Sequence, residues 1–130
     1  MTFYQTEITR IRDTCYSNKR QIEAVVGTRH YINTNFDKGL NLGLLSHMCF
    51  TSKFHLLRLF KRYYGVTPKQ YLTDKRIEIA KELLRKGVNI TETCFATGFE
   101  SPSSFSTLFK YRVGLAPAEF QKRATFTKSA

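Results

Sequence analysis

The stretch GFESPSSFSTLFKYRVGLAP, Gly98 to Pro117, has an echo upstream in FTSKFHLLRLFKRYYGVTP, Phe50 to Pro68. At an offset of 49, Phe60, Lys61, Gly65, Pro68 and Tyr71 match Phe109, Lys110, Gly114, Pro117 and Phe120, and Val66 agrees in kind with Leu115. Further upstream the small residues Ser46 and Cys94 correspond at an offset of 48, so the second copy carries one more residue in its turn, near Glu100. Each copy reads as a short helix, a tight turn and a longer helix that ends in Phe-Lys-x-x-x-Gly-(apolar)-x-Pro.

That is the build of a helix-turn-helix, in which two helices cross steeply across a short turn. A close crossing needs a small side chain on the first helix, which Ser46 and Cys94 supply. Gly98 stands where the first helix of the second copy must turn, and a positive φ suits glycine there. The longer helices divide into two faces at helical spacing. In the first copy Leu56, Leu59, Phe60 and Tyr63 form the expected core face, and Lys53, Phe54, Leu57, Arg58 and Lys61 lie opposite. In the second, Phe105, Leu108 and Phe109 are expected inside, with Ser103, Ser104, Thr107 and Lys110 outside.

The remaining chain reads as helix too. Expected helices cover residues 20–35, 41–49, 52–63, 67–86, 89–97, 102–112 and 117–123. Pro68, Pro102 and Pro117 each fall at a helix start, where the missing N–H is no loss. Thr67 and Gln70 add a capping box to the first of these, and Ser101 is a good cap for the second. The helix from Pro68 turns Tyr71, Leu72, Ala80, Leu83 and Leu84 inward and stops at Lys86-Gly87. No stretch alternates apolar and polar residues, so the fold class is all-α: two helix-turn-helix subdomains joined by a long linker helix. The expected organisation is an extension over 1–19, a first subdomain over 20–66, the connecting helix 67–86, a second subdomain over 87–123 and a tail over 124–130. In the extension Tyr4, Ile8, Ile11 and Cys15 recur at helical spacing, consistent with either an extra docking helix or a frayed lead-in.

Charge narrows the function. The 130 residues hold 21 Lys and Arg against 10 Asp and Glu, a net charge of +11. Residues 1–40 account for +2 of it and residues 41–130 for +9. A basic surface attracts nucleic acid or anionic lipid. No run of about 18 apolar residues is present to cross a membrane. Apolar faces that a core needs argue against a membrane-surface helix, and the absence of a sheet pattern argues against a single-strand RNA reader. Cys15, Cys49 and Cys94, with His30, His47 and His55, show no metal-ligand spacing. No metal, cofactor or catalytic site is expected, and an odd cysteine count fits a reducing compartment.

Residues 20–123 resemble the DNA-binding module of the AraC/XylS family of bacterial transcription regulators. GFESPSSFSTLFKYRVGLAPAEF is similar to the family's second-repeat signature, and SKFHLLRLFKRYYGVTPKQYL with KRIEIAKELL is similar to its first repeat and connecting helix. The resemblance implies recognition helices at 52–63 and 102–112. It places the base-contacting positions on Phe54, Leu57 and Arg58 in the first, and on Pro102, Ser103, Ser104 and Thr107 in the second. Arg58 has the fork suited to guanine or phosphate, and Leu57 and Phe54 suit thymine methyls. Phosphate contacts are expected from Ser52, Lys53, Lys61, Arg62, Lys110 and Arg112 and from the helix N-termini.

The family's pattern further implies double-stranded DNA as partner, contact with RNA polymerase in activation, and a bacterial cytoplasmic, nucleoid-associated location. With two units on one chain, a monomer is sufficient for binding. Fewer than about 20 residues precede the first helix, which suggests a free-standing regulator; the C-terminal part of a larger effector-responsive one is the alternative. Leu57 and Thr107 stand where the family often places long polar or basic readers, and Pro102 has no backbone N–H to donate, so the second copy is expected to rely more on phosphate and DNA shape. Thr51 and Thr93 also replace apolar residues of the pattern.

Overall fold

A computed structural model describes residues 2–129. The side chains of Phe3, Tyr4, Ile8–Ser17 and Phe126–Ser129 lie outside the described residues, and with them the choice between docking and a frayed lead-in for Tyr4, Ile8, Ile11 and Cys15. Among the described residues seven helices follow one another: α1 (Phe3–Thr34), α2 (Leu42–Met48), α3 (Lys53–Tyr64), α4 (Pro68–Arg85), α5 (Ile90–Ala96), α6 (Pro102–Val113) and α7 (Pro117–Ser129). Among the described residues there is no strand, and no helix is long and apolar enough to cross a membrane.

Two of the helices run further than expected. α1 begins at Phe3, so the extension continues the first helix of the module as one element. α7 runs through most of the expected tail. The other ends fall within about a residue of their sequence positions, the scatter that helix ends ordinarily show.

The chain forms two compact units. The first joins residues up to Tyr31 with Asn41–Pro68; the second joins Ile32–Leu40 with residues from Lys69 onward. The segment 32–40, which precedes the first repeat, is thus part of the unit that contains the second.

In the first unit α1 contributes Ala24, Val25 and Thr28, α2 contributes Leu45 and Ser46, and α3 contributes Leu56, Leu59 and Phe60, all buried. The hydroxyl of buried Thr28 donates to the carbonyl of Ala24, 2.8 Å away, and so is satisfied within its own helix. Tyr63, expected inside, is exposed; Tyr64 takes the inner position instead. One helical turn after Phe60, Tyr64 packs its ring 4.7 Å from that of Phe60. Its other neighbour is the guanidinium of Arg29, 5.3 Å from the ring centroid.

The second unit is built on a cluster of Ile77, Ala80 and Leu84 from α4, Cys94 from α5, and Phe105 and Phe109 from α6. Phe99, Phe105, Phe109 and Phe120 form a relay of tilted and edge-on ring pairs with centroids 5.1 to 5.6 Å apart. Leu108 is half-buried, one step off the face that Phe105 and Phe109 present to this core. Gly87, at φ +89°, closes α4: its N–H donates to the carbonyl of Leu84 and the N–H of Val88 to that of Leu83, both at 3.1 Å. This pair of bonds satisfies carbonyls that a helix end otherwise leaves open.

Candidate nucleic-acid interface

The two turns repeat bond by bond. Each short helix is capped by an asparagine whose side chain accepts an N–H three residues on, Asn41 from Leu44 and Asn89 from Glu92. After α2 the N–H of Thr51 donates to the carbonyl of Ser46 at 3.0 Å; after α5 the N–H of Phe99 donates to that of Cys94 at 3.1 Å. The residue before each closing donor is left-handed: Phe50 at φ +54° in the first turn and Gly98 at +88° in the second. Ser52 then caps α3 by accepting from the N–H of His55, and Ser101 caps α6 by accepting from the N–H of Ser104. Both long helices end on a left-handed glycine, Gly65 and Gly114, whose N–H reaches the carbonyl of Lys61 or Lys110 at 2.8 Å.

With α3 held in this way, burial of Leu56, Leu59 and Phe60 turns the opposite face outward. Lys53, Phe54, Arg58, Lys61 and Arg62 are exposed there, and Leu57 is half-buried. Phe54 is 74 % exposed, an apolar ring with no place in the core. Ser52 stands at the head of this face with its oxygen committed to the cap. α3 contains no acidic residue, so its outward side is uniformly basic and apolar.

α6 presents a different face. Pro102, Ser103, Ser104, Thr107, Lys110, Tyr111 and Arg112 are exposed. The hydroxyl of Ser101 donates to that of Ser104 at 3.0 Å, and the hydroxyl of Ser103 lies 3.5 Å from Ser101 Oγ. Ser103, Ser104, Thr107, Leu108 and Tyr111 line one shallow concavity. Arg112 forms an ion pair with Asp74 on α4, which leaves Lys110 as the cation of α6 that carries no ion pair to an acid among those described. Tyr111, which the family resemblance does not mark, stands four residues beyond Thr107 and is 84 % exposed.

A chain with two turn motifs capped and closed by matching hydrogen bonds, each offering the outer face of its second helix, is a double helix-turn-helix protein. Residues 45–123 match the family model described as a helix-turn-helix domain, and the chain belongs to this AraC-type family. A bifunctional transcriptional activator and DNA repair enzyme of Bacillus subtilis, AdaA, is 33 % identical over 93 residues, which are 71 % of this chain and 44 % of that protein. The chain thus spans less than half the length of that relative. Among solved structures, the C-terminal domain of AraT, a response regulator from Geobacillus stearothermophilus, superposes with a TM-score of 0.73 at 29 % identity, covering 77 % of this chain and 84 % of that one. The DNA-binding domain of the global transcriptional factor AdpA, solved with a target DNA, has the same fold at a TM-score of 0.71 and 21 % identity, covering 76 % of this chain and 90 % of that one.

Proposed function

We propose that this chain is a sequence-specific double-stranded-DNA-binding transcription regulator, an activator that inserts α3 and α6 into successive major-groove segments. The observation that carries the reading is the repeated geometry of the two turns, which leaves one face of each long helix free of acid and outside its own core. Arg58 reads guanine through its fork, and Phe54 and Leu57 pack against thymine methyls. Ser103, Ser104 and Thr107 offer hydroxyls to base edges or phosphates, with Pro102 at the head of the helix. Ser52, Lys53, Lys61, Arg62 and Lys110 orient the protein on phosphates, and Arg112 contributes there only beyond its pairing with Asp74.

In this reading the two helices meet successive major-groove segments on one side of the duplex, which recur about 34 Å apart, one turn of DNA. One monomer is then sufficient, and RNA polymerase is the partner through which activation acts in the bacterial cytoplasm. The share of AdaA that the chain covers equally suits the DNA-binding part of a longer regulator.

Selection of binding sites from random duplex DNA tests the reading. The expected product is two short boxes about one helical turn apart, roughly 10 base pairs. Arg58→Ala should lose discrimination in one box only. Affinity should fall steeply with salt, because phosphate contacts release counterions. A flat salt response, or recovery of no common sequence, would overturn the reading.

A further inference from the structure

The outward face of α6 contains a row at four-residue steps, Ser103, Thr107 and Tyr111, and neighbours at this spacing lie one above the other on a helix. At the repeat offset of 49 the matching row in α3 is Phe54, Arg58 and Arg62. The two rows therefore end differently: α3 ends in a cation and α6 in an aromatic ring with a hydroxyl. Tyr111 is 84 % exposed, so its ring contributes nothing to the core of the second unit. It shares one concavity with Ser103, Ser104 and Thr107. The adjacent cation, Arg112, is held by Asp74.

From these placements we infer that Tyr111 is a further DNA-contacting residue, an uncharged backbone anchor that does for α6 what Arg62 does for α3. This rests on the proposed reading of α3 and α6 as groove-entering helices. The phenol O–H donates to a phosphate oxygen at the edge of the second box, and the ring lies against the neighbouring deoxyribose. Contacts to phosphate and sugar position a protein on the duplex without reading sequence. Because the phenol carries no charge, it releases no counterion. The second box is thus gripped with less dependence on salt than the first.

Ethylation interference and salt titration on the selected two-box duplex test this, using the full chain and its Tyr111→Phe, Tyr111→Ala and Tyr111→Arg variants. The exposed position leaves each variant folded, which melting by circular dichroism checks. Tyr111→Phe should lose the interference signal at one phosphate of the second box and weaken binding by roughly ten- to a hundredfold, the order of one hydrogen bond to a charged acceptor. Its salt slope should match that of the parent. Tyr111→Ala should weaken binding further, through the lost sugar contact. Tyr111→Arg should keep the interference signal and steepen the salt slope by about 0.9, the increment for one added phosphate contact. Parent affinity and an unchanged interference pattern in both Tyr111→Phe and Tyr111→Ala would overturn the inference, as would equal weakening at both boxes. If the unaltered chain selects no duplex at all, the regulator reading fails first and the role of Tyr111 fails with it.

Discussion

The guanidinium of Arg76 donates from Nε to the carbonyl of Phe36 at 2.7 Å and from Nη2 to the carbonyl of Lys38 at 2.9 Å. One side chain of α4 thereby pins the segment 32–40 to the second unit. The guanidinium also lies 5.6 Å from the ring centroid of Phe99, the residue that closes the second turn. Tyr71 adds a second tie, its hydroxyl donating to Asn33 Oδ1 at 2.9 Å. Burial lowers the pKa of Arg76 from its usual value, and the nearby Asp37 and Glu100 oppose that by favouring the charge.

Removing this clamp is expected to be costly. Arg76→Ala strands two carbonyls and should lower stability by about 2 kcal/mol, the order of hydrogen bonds to a charged donor. Arg76→Lys should recover only part of it, since an ammonium lacks the fork that serves two acceptors at fixed spacing. Urea unfolding of the three proteins measures both. Equal stability for the parent and Arg76→Ala would show that the segment is held by other contacts.

The two turns make opposite forecasts for glycine. A Cβ on Gly98 would meet backbone atoms of Asp37 at 2.9 Å, and the φ there is +88°. Gly98→Ala therefore combines left-handed strain with a clash that only backbone movement relieves, at about 3 kcal/mol in total. Gly65→Ala, with the same sign of φ and open space around it, should cost only about 1 kcal/mol. At the position equivalent to Gly98 the first turn has Phe50, left-handed and 84 % exposed. Phe50→Gly relieves strain and loses little packing, and after the greater chain entropy of glycine it should stabilise by about 0.5 kcal/mol. Thermal melts of the three variants should rank Phe50→Gly above the parent and Gly98→Ala last.

Thr93 replaces an apolar residue of the pattern, and its cost is visible in the structure. Its side chain is fully buried, and its Oγ1 is the buried side-chain oxygen without a hydrogen-bond partner among the described residues. Thr97, equally buried, escapes this by donating to the carbonyl of Thr93 at 2.7 Å. Thr93→Val keeps the shape and removes the stranded hydroxyl, so it should stabilise by about 1 kcal/mol. Thr97→Val should not, because its hydroxyl already has a partner. A melt in which Thr93→Val is no more stable than the parent would mean that the hydroxyl finds a partner in solution.

The repeat was legible because both turns obey the same local chemistry. Caps, left-handed closures and prolines at helix starts are short-range features, so they appear in sequence order. Legibility failed where a choice depended on distant chain. Tyr63 and Tyr64 both lie within a helical turn of the buried residues of α3, and it takes Arg29 and the ring of Phe60 to select Tyr64. No local pattern announces that Arg76 captures carbonyls about 40 residues upstream. Arg112 likewise reads as a free cation until Asp74, 38 residues away, is placed beside it. On α6, Tyr111 was readable from spacing, but an isolated aromatic in a sequence suggests core before it suggests surface.

Cys94 supplies a forecast in pH. Its thiol lies wholly buried in the second unit's core, and burial pushes its pKa up. Unfolding returns the thiol to its usual value near 8.5, so between that value and the raised one the unfolded chain has lost a proton that the folded chain keeps. The contribution is therefore fully present below about pH 8.5 and is lost as pH rises through the folded pKa. A chain carrying Cys94→Ala should lack this alkaline decline, at the cost of a small cavity, while Cys49→Ala should retain it. Alkylation gives an independent check: in single-cysteine variants at pH 8, iodoacetamide should modify half-buried Cys49 well ahead of Cys94. Equal rates would mean that the second unit opens as readily as the first turn, and that the packing of Phe105 and Phe109 around α5 does not protect its thiol.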